Sequence, residues 1–179
     1  MLYILIIVLI LALDIISKMY IAGNLEFFSK IPVIDGVLNI TNISNDGIAF
    51  GMLGNVRWLF MLATVLLVLC LSAFMAFGKG YAKTVYISCS MILAGGLGNL
   101  IDRVFVLGVY DEPKCVVDFI DFCAFPKIWM WTFNIADVAV CVGVGLMILY
   151  LVFLEKKVQK KGFKTILYEE KKNGGEADE

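Results

Sequence analysis

The sequence predicts an all-α membrane protein: four transmembrane helices, with a small extracytoplasmic subdomain between spans one and two for which β structure is one option. Two observations carry this expectation. Of 179 residues, 61% are hydrophobic and only 17% are charged, and the mean hydropathy is +0.89, whereas soluble domains hold roughly 45–50% apolar residues. The apolar residues also fall into four continuous runs, each near the ~20 residues that a helix needs to cross a hydrocarbon core about 30 Å thick.

The first run covers about residues 1–21. It lacks the basic n-region of a secretory signal and ends at Asp14 and Lys18 without a small-residue cleavage site, so it reads as a retained span. The second covers about 56–77, the third about 84–107 and the fourth about 133–154. Together they make one membrane domain over 1–155. The tail, 156–179, opens on Lys156, Lys157, Lys160, Lys161 and Lys164 and turns acidic and Gly-rich at its end, a composition that favours partial disorder. Lys79 and Lys83 lie in the turn between spans two and three. Because basic residues near span ends favour the cytoplasmic side, both termini are expected in the cytoplasm, with the connections 22–55 and 108–132 facing outward. The tail lysines suit anionic membrane lipid. A net charge of −1 with no basic stripe elsewhere gives nucleic-acid binding no support.

The absence of histidine removes Ser-His-Asp, Cys-His and HExxH chemistry together. Of five cysteines, Cys70, Cys89 and Cys141 fall inside spans, where a small apolar residue is the simple reading. Cys115 and Cys123 share an outward loop, and the sequence leaves their pairing open.

Charged and amide side chains at membrane depth each call for a partner or a function. Asp14 and Lys18, four apart, share a helix face and can neutralise each other. A Ser17–Lys18 nucleophile pair is a weaker option, since adjacent helical residues point about 100° apart. Asn45, Asp46 and Gly47 offer turn chemistry, or a substrate-facing loop with Asn45 as donor. In span three, Gly95, Gly96 and Gly98 permit close helix approach. Asn99 and Arg103 share a face beyond them, and Asp102 with Arg103 suggests an internal ion pair. Asp118 and Asp121 sit in an apolar frame at Val116–Phe122. Asn134 and Asp137 have the spacing of a helix N-cap pair.

In this order the residues resemble the lipoprotein signal peptidases of bacteria, the signal peptidase II family. The resemblance rests on Asp14-x-x-x-Lys18, Asn45-x-Gly47-x-Ala49-Phe50, Gly95-Gly-x-Gly98-Asn99-x-x-Asp102-Arg103, Val116-Val-Asp118-Phe119 and Phe133-Asn134-x-Ala136-Asp137. It implies an aspartic endopeptidase with Asp118 and Asp137 as the catalytic pair. Asp14, Lys18, Asn45, Gly47, Asn99, Asp102, Arg103, Asn134 and Ala136 would line or brace the site. The implied substrate is a prolipoprotein cut just before a diacylglyceryl-modified Cys, in the bacterial cytoplasmic membrane and toward its outer face. Globomycin-type inhibitors are expected to bind, and neither metal nor cofactor is called for. Such a pair shares one proton: the charged acid activates water while the neutral one polarises the scissile carbonyl. Helix N-terminal placement suggests that Asp137 holds the negative charge. The chain departs from the family between Arg103 and Val116, where residues 104–115 make a longer loop than the usual short link.

A small transporter or ion-conducting protein would also carry intramembrane charges, but its charges would spread through the membrane depth, often with internal repeats. Here they gather toward the outer side. A non-catalytic scaffold would explain the glycines and leave the acids without a role.

Overall fold

A computed structural model describes residues 1–45, 57–104, 115–124 and 131–154. The elements run α1 (Leu2–Asn24), β1 (Lys30–Ile34), β2 (Leu38–Asn45), α2 (Arg57–Phe77), α3 (Lys83–Val104), β3 (Val116–Phe122), β4 (Thr132–Phe133) and α4 (Ile135–Leu149). A π-helical turn, Tyr150–Leu154, prolongs α4. Among the described residues, three helices are long and apolar enough to cross a membrane: Leu2–Asn24, Lys83–Val104 and Ile135–Phe153. α2 has 21 residues, of which Met61–Phe77 forms a shorter apolar stretch. At 1.5 Å per residue, α1 is about 35 Å long, enough to cross a ~30 Å core.

α3 is the central helix, packing against α1, α2 and α4. Missing side chains make this possible. A Cβ on Gly95 would collide with the Ala136 carbonyl oxygen and lie 2.6 Å from Val140 Cγ2, and one on Gly98 would lie 2.7 Å from Asp14 Oδ2. Across the same contact, a Cβ on Gly143 of α4 would sit 2.9 Å from the Ser88 carbonyl oxygen. Close approach of this kind stands in for the hydrophobic driving force that lipid removes. Gly95→Ala is therefore expected to push α4 off α3, costing about 1–3 kcal/mol and most of the activity, because Ala136 directly precedes Asp137. Thermal unfolding and turnover of the variant check this; wild-type values for Gly95→Ala would contradict the packing.

Outside the helices the strands form one antiparallel sheet in the order β1-β2-β3-β4. The β1–β2 hairpin turns through Gly36, whose φ of +70° suits glycine, and Pro32 falls on the edge strand, where its missing N–H costs least. The sequence placed the outer subdomain between spans one and two. β1 and β2 come from that connection, and the sheet also draws β3 and β4 from the segment between α3 and α4, so the two segments fold as one unit. A bulge in β2 between Ile40 and Ile43, against Ile120 and Asp118 of β3, adds one residue. At this bulge the buried Thr41 and Asn42 fasten the strand to the end of α1: Thr41 Oγ1 donates to the Ser29 carbonyl at 2.7 Å and Asn42 Nδ2 to the Leu25 carbonyl at 2.8 Å.

At the other end, Tyr3 of α1 lies against Tyr86 of α3, and Phe74 and Tyr81 join the cluster. The Tyr86 hydroxyl donates to the Gly78 carbonyl at 2.9 Å, bracing the turn between α2 and α3. Cys115 and Cys123 flank the seven-residue β3, about 26 Å apart at ~3.3 Å per residue, so they cannot pair with each other. Both are free thiols, and Cys123 Sγ accepts from Asn39 Nδ2 at 3.4 Å.

Candidate active site

The site forms where the sheet meets the C-terminal halves of α1 and α3 and the N-terminal end of α4. Alternation along β3 separates the two acids of the Val116–Phe122 segment: three positions apart, Asp118 and Asp121 face opposite sides of the sheet. Asp118 turns inward and is 2% exposed. Asp121 lies on the other side, with Lys30 Nζ at 2.9 Å and Asn39 Nδ2 at 3.2 Å. Burial alone would raise its pKa, but those hydrogen bonds and the Lys30 charge hold it below the ordinary carboxylate value. The β2 bulge matters here. Without it Asn39 and Asn45, six apart, would share a face; the extra residue sends Asn39 to Asp121 and Asn45 to Asp118.

Asp118 accepts two hydrogen bonds, from Asn45 Nδ2 on Oδ2 at 2.7 Å and from Asn134 Nδ2 on Oδ1 at 2.6 Å. Burial and the neighbouring Asp137 charge push its carboxyl up to about 7, against the opposing pull of the two amides and of Lys18. Asp137 stands in the first turn of α4 and plays two structural parts at once. Its Oδ2 accepts from the Asn134 backbone N–H at 3.2 Å while Asn134 Oδ1 accepts from its own N–H at 2.9 Å, a complete capping box. Its Oδ1 accepts from Asn99 Nδ2 at 2.7 Å. Asn134, fully buried, thus touches both acids and also donates to Asn99 Oδ1 at 3.1 Å.

Behind this layer lies a buried ionic cluster. Lys18, 1% exposed, donates to Asp14 Oδ2 at 2.6 Å and to Asn99 Oδ1 at 3.2 Å. Its ammonium also lies 2.7 Å from Asp102 Oδ2. That last contact is a buried ion pair. The sequence suggested Arg103 as the partner of Asp102; the close cation is Lys18, reaching across the α1–α3 contact, while Arg103 Nη1 donates to the Asn99 carbonyl at 3.1 Å. Asp14 Oδ1 in turn accepts from the Ala136 N–H at 2.8 Å. It thereby satisfies one of the N–H groups left open at the start of α4 and complements the helix dipole. Gly47 lies outside the described residues, as does most of the longer 104–115 loop.

Asp118, Asp137, Asn45, Asn99 and Asn134 therefore converge, with Asp14, Lys18 and Asp102 directly behind and Ala136 and Arg103 bonded to the cluster. Thr41, Asn42, Lys30 and Asn39, which fix the sheet around Asp118, went unnoticed in the sequence. Their only signal was the polar spacing in a short strand.

A family model described as signal peptidase (SPase) II matches residues 6–153. The chain belongs to the signal peptidase II family. This signal peptidase II is 42% identical over 163 residues to the lipoprotein signal peptidase of Clostridioides difficile (strain 630), a match covering 88% of this chain and 99% of that relative. Two solved bacterial membrane enzymes, determined by the in meso method at 1.9 and 2.3 Å, are 34% identical with TM-scores of 0.73 and 0.71. They cover 85% and 84% of this chain and are themselves covered over 93% and 87%. As a signal peptidase II the protein is a membrane protease of lipoprotein processing, and its apolar helices fit that setting.

Proposed function

We propose that Asp118 and Asp137 act as one catalytic dyad that removes signal peptides from diacylglyceryl-modified prolipoproteins, cutting just before the lipidated Cys. The observation that carries this reading is the Asn134 bridge, which binds Asp118 through its side-chain Nδ2 and Asp137 through its backbone N–H and side-chain Oδ1, beside a carboxyl at Asp118 raised to about 7. A neutral Asp118 is able to donate to the scissile carbonyl oxygen while an ionised Asp137 accepts a proton from water. Attack of that water on the carbonyl carbon transfers the Asp118 proton to the carbonyl oxygen and leaves the water proton on Asp137. In collapse, Asp137 protonates the departing amide nitrogen, the C–N bond breaks, and Asp118 recovers its proton from the gem-diol. Turnover should then fall as pH rises through about 7, where Asp118 ionises.

The substrate peptide lies extended at the dyad, since a helical backbone shields the bond to be cut. Globomycin-type inhibitors would compete for the same position. Membrane lipid surrounds the domain over 1–155, with the tail 156–179 in the cytoplasm. α2, about 31 Å long, serves as the fourth span. Lys79, Lys83 and the tail lysines favour cytoplasmic termini with the sheet and dyad on the outer side, and the tyrosines near the α2–α3 turn suit a membrane interface. Reporter fusions test this arrangement: fusions at 79–83 and at the C terminus should report cytoplasm, and an outward signal at 79–83 would overturn it. The catalytic reading itself is tested by incubating the protein in lipid with a lipidated precursor and identifying the new N terminus, expected to be the modified Cys.

A further inference from the structure

The amides around the dyad are held in one orientation by groups that can only donate. A lysine ammonium has no acceptor, so the Asn99 atom 3.2 Å from Lys18 Nζ is Oδ1, and Nδ2 is left to face Asp137 at 2.7 Å. The Asp137 backbone N–H fixes Asn134 in the same way, with Oδ1 toward it at 2.9 Å and Nδ2 toward Asp118 and Asn99. The network therefore has a direction. It starts at a buried cation and ends with N–H donors on both dyad acids.

We propose that Lys18 is a positioning residue for this reaction: clamped between Asp14 and Asp102, its ammonium keeps the amide nitrogen of Asn99, and not its oxygen, on the Asp137 carboxylate. This deepens the dyad reading and rests on it. With Lys18 replaced by a side chain that cannot donate, Asn99 Oδ1 keeps only the 3.1 Å bond from Asn134 Nδ2, which also serves Asp118, and Asn99 turns over more readily. Its oxygen would then face Asp137, a contact that favours a proton on Asp137, and a base that already holds a proton cannot activate water.

The clamp accounts for the cost of keeping an ammonium at membrane depth. Asp14 approaches from one helical turn away on α1 and Asp102 from α3, and α1 comes close enough because residue 98 is glycine. The charged groups around Lys18 are Asp14 on its own helix, Asp102 and Arg103 on α3, Asp137 on α4 and Asp118 on β3. Two carboxylates on one ammonium are more than simple neutralisation needs. They fix where the ammonium points, and the third direction is Asn99.

Lys18→Met is expected to lower kcat by ~10²-fold, the scale of loss that follows misplacement of a catalytic group, with KM little changed. Its alkaline limb should move to higher pH, because the Lys18 charge works to lower Asp118. A purely structural lysine would give lower thermal stability with the kcat of the folded protein unchanged, and that result would overturn the proposal. Should the single variant fail to fold, Asp14→Asn/Lys18→Met/Asp102→Asn removes the three charges together and leaves no buried charge without a partner. This protein should fold and show the same kcat loss. The matching triple variant with Lys18→Gln, which restores an N–H donor at that position, should recover part of it. Wild-type kcat in either folded protein, or equal kcat in the Met and Gln forms, overturns the assignment. Asp118→Asn and Asp137→Asn are assayed alongside: if they are inactive while the Lys18 variants turn over normally, the dyad stands and the positioning role falls.

Discussion

Asp118→Asn and Asp137→Asn are each expected to lower kcat on a lipidated precursor by at least ~10³-fold while the protein stays folded and inserted. An amide matches a carboxylate in shape but neither takes nor returns a proton. Asp118 also links activity to pH and stability with a definite sign. Its folded pKa of about 7 lies above the ordinary 3.8, so between those values the folded protein holds a proton that the unfolded chain has released. Wild-type stability should therefore decline as pH rises from about 4 to 7 and level off above, and Asp118→Asn should lose that slope. Its amide offers one acceptor to two donors, Asn45 and Asn134, so the variant gives up one hydrogen bond, about 1 kcal/mol. Asp102→Asn is the contrast. Lys18 keeps its contacts to Asp14 and Asn99 but loses half of its clamp, so the change should appear as a few kcal/mol of stability, with kcat of the folded protein lowered far less than in the dyad variants. Thermal unfolding across pH and turnover on the same preparations separate these outcomes; an inactive, well-folded Asp102→Asn would move that residue into the reaction.

Removing the diacylglyceryl group from the substrate is the second large effect. Each methylene held in lipid is worth about 0.8 kcal/mol, so if only three methylenes hold the scissile bond at the depth of the dyad, the unlipidated precursor loses ~2.4 kcal/mol, or roughly 50-fold in kcat/KM. Two full acyl chains allow a larger loss. The geometry is suited to this dependence, because Asp137 sits in the first turn of a helix that is itself apolar, with Val138, Val142 and Ile148 exposed. Paired precursors of one sequence, lipidated and unlipidated, in the same lipid supply the measurement. Equal rates would count against a lipoprotein substrate.

The helices were legible because twenty apolar residues in a row have few alternatives. The expected end of span one at residue 21 and the observed end of α1 at Asn24 differ by three residues. The sheet was much less legible. β4 has two residues, β3 carries two acids within seven, and the pairing of β2 with β3 joins residues 71 to 84 positions apart. Local pattern holds no record of such a partner.

The site divides along the same line. Asn134 and Asp137 announced a helix cap, and the capping box is there, but the spacing could not say that the cap would also deliver both residues to Asp118. Asp118 and Asp121 were equivalent in local sequence and were told apart only by the family resemblance; in the fold, strand alternation and the β2 bulge separate them. Asp102 was assigned to Arg103 because they are neighbours in sequence. Neighbours on a helix point about 100° apart, and the gap left by Gly98 lets Lys18 arrive from another helix instead. What the sequence lacked was the three-dimensional approach of α1 to α3, which is where most of the buried charge is settled.

The double variant tests the dyad most directly. With kcat measured on one lipidated precursor for Asp118→Asn, Asp137→Asn and Asp118→Asn/Asp137→Asn, two acids that share a single proton should fail together, the double variant being no slower than the worse of the single ones. Independent losses that multiply in the double variant, or substantial turnover by either single variant, would contradict the account.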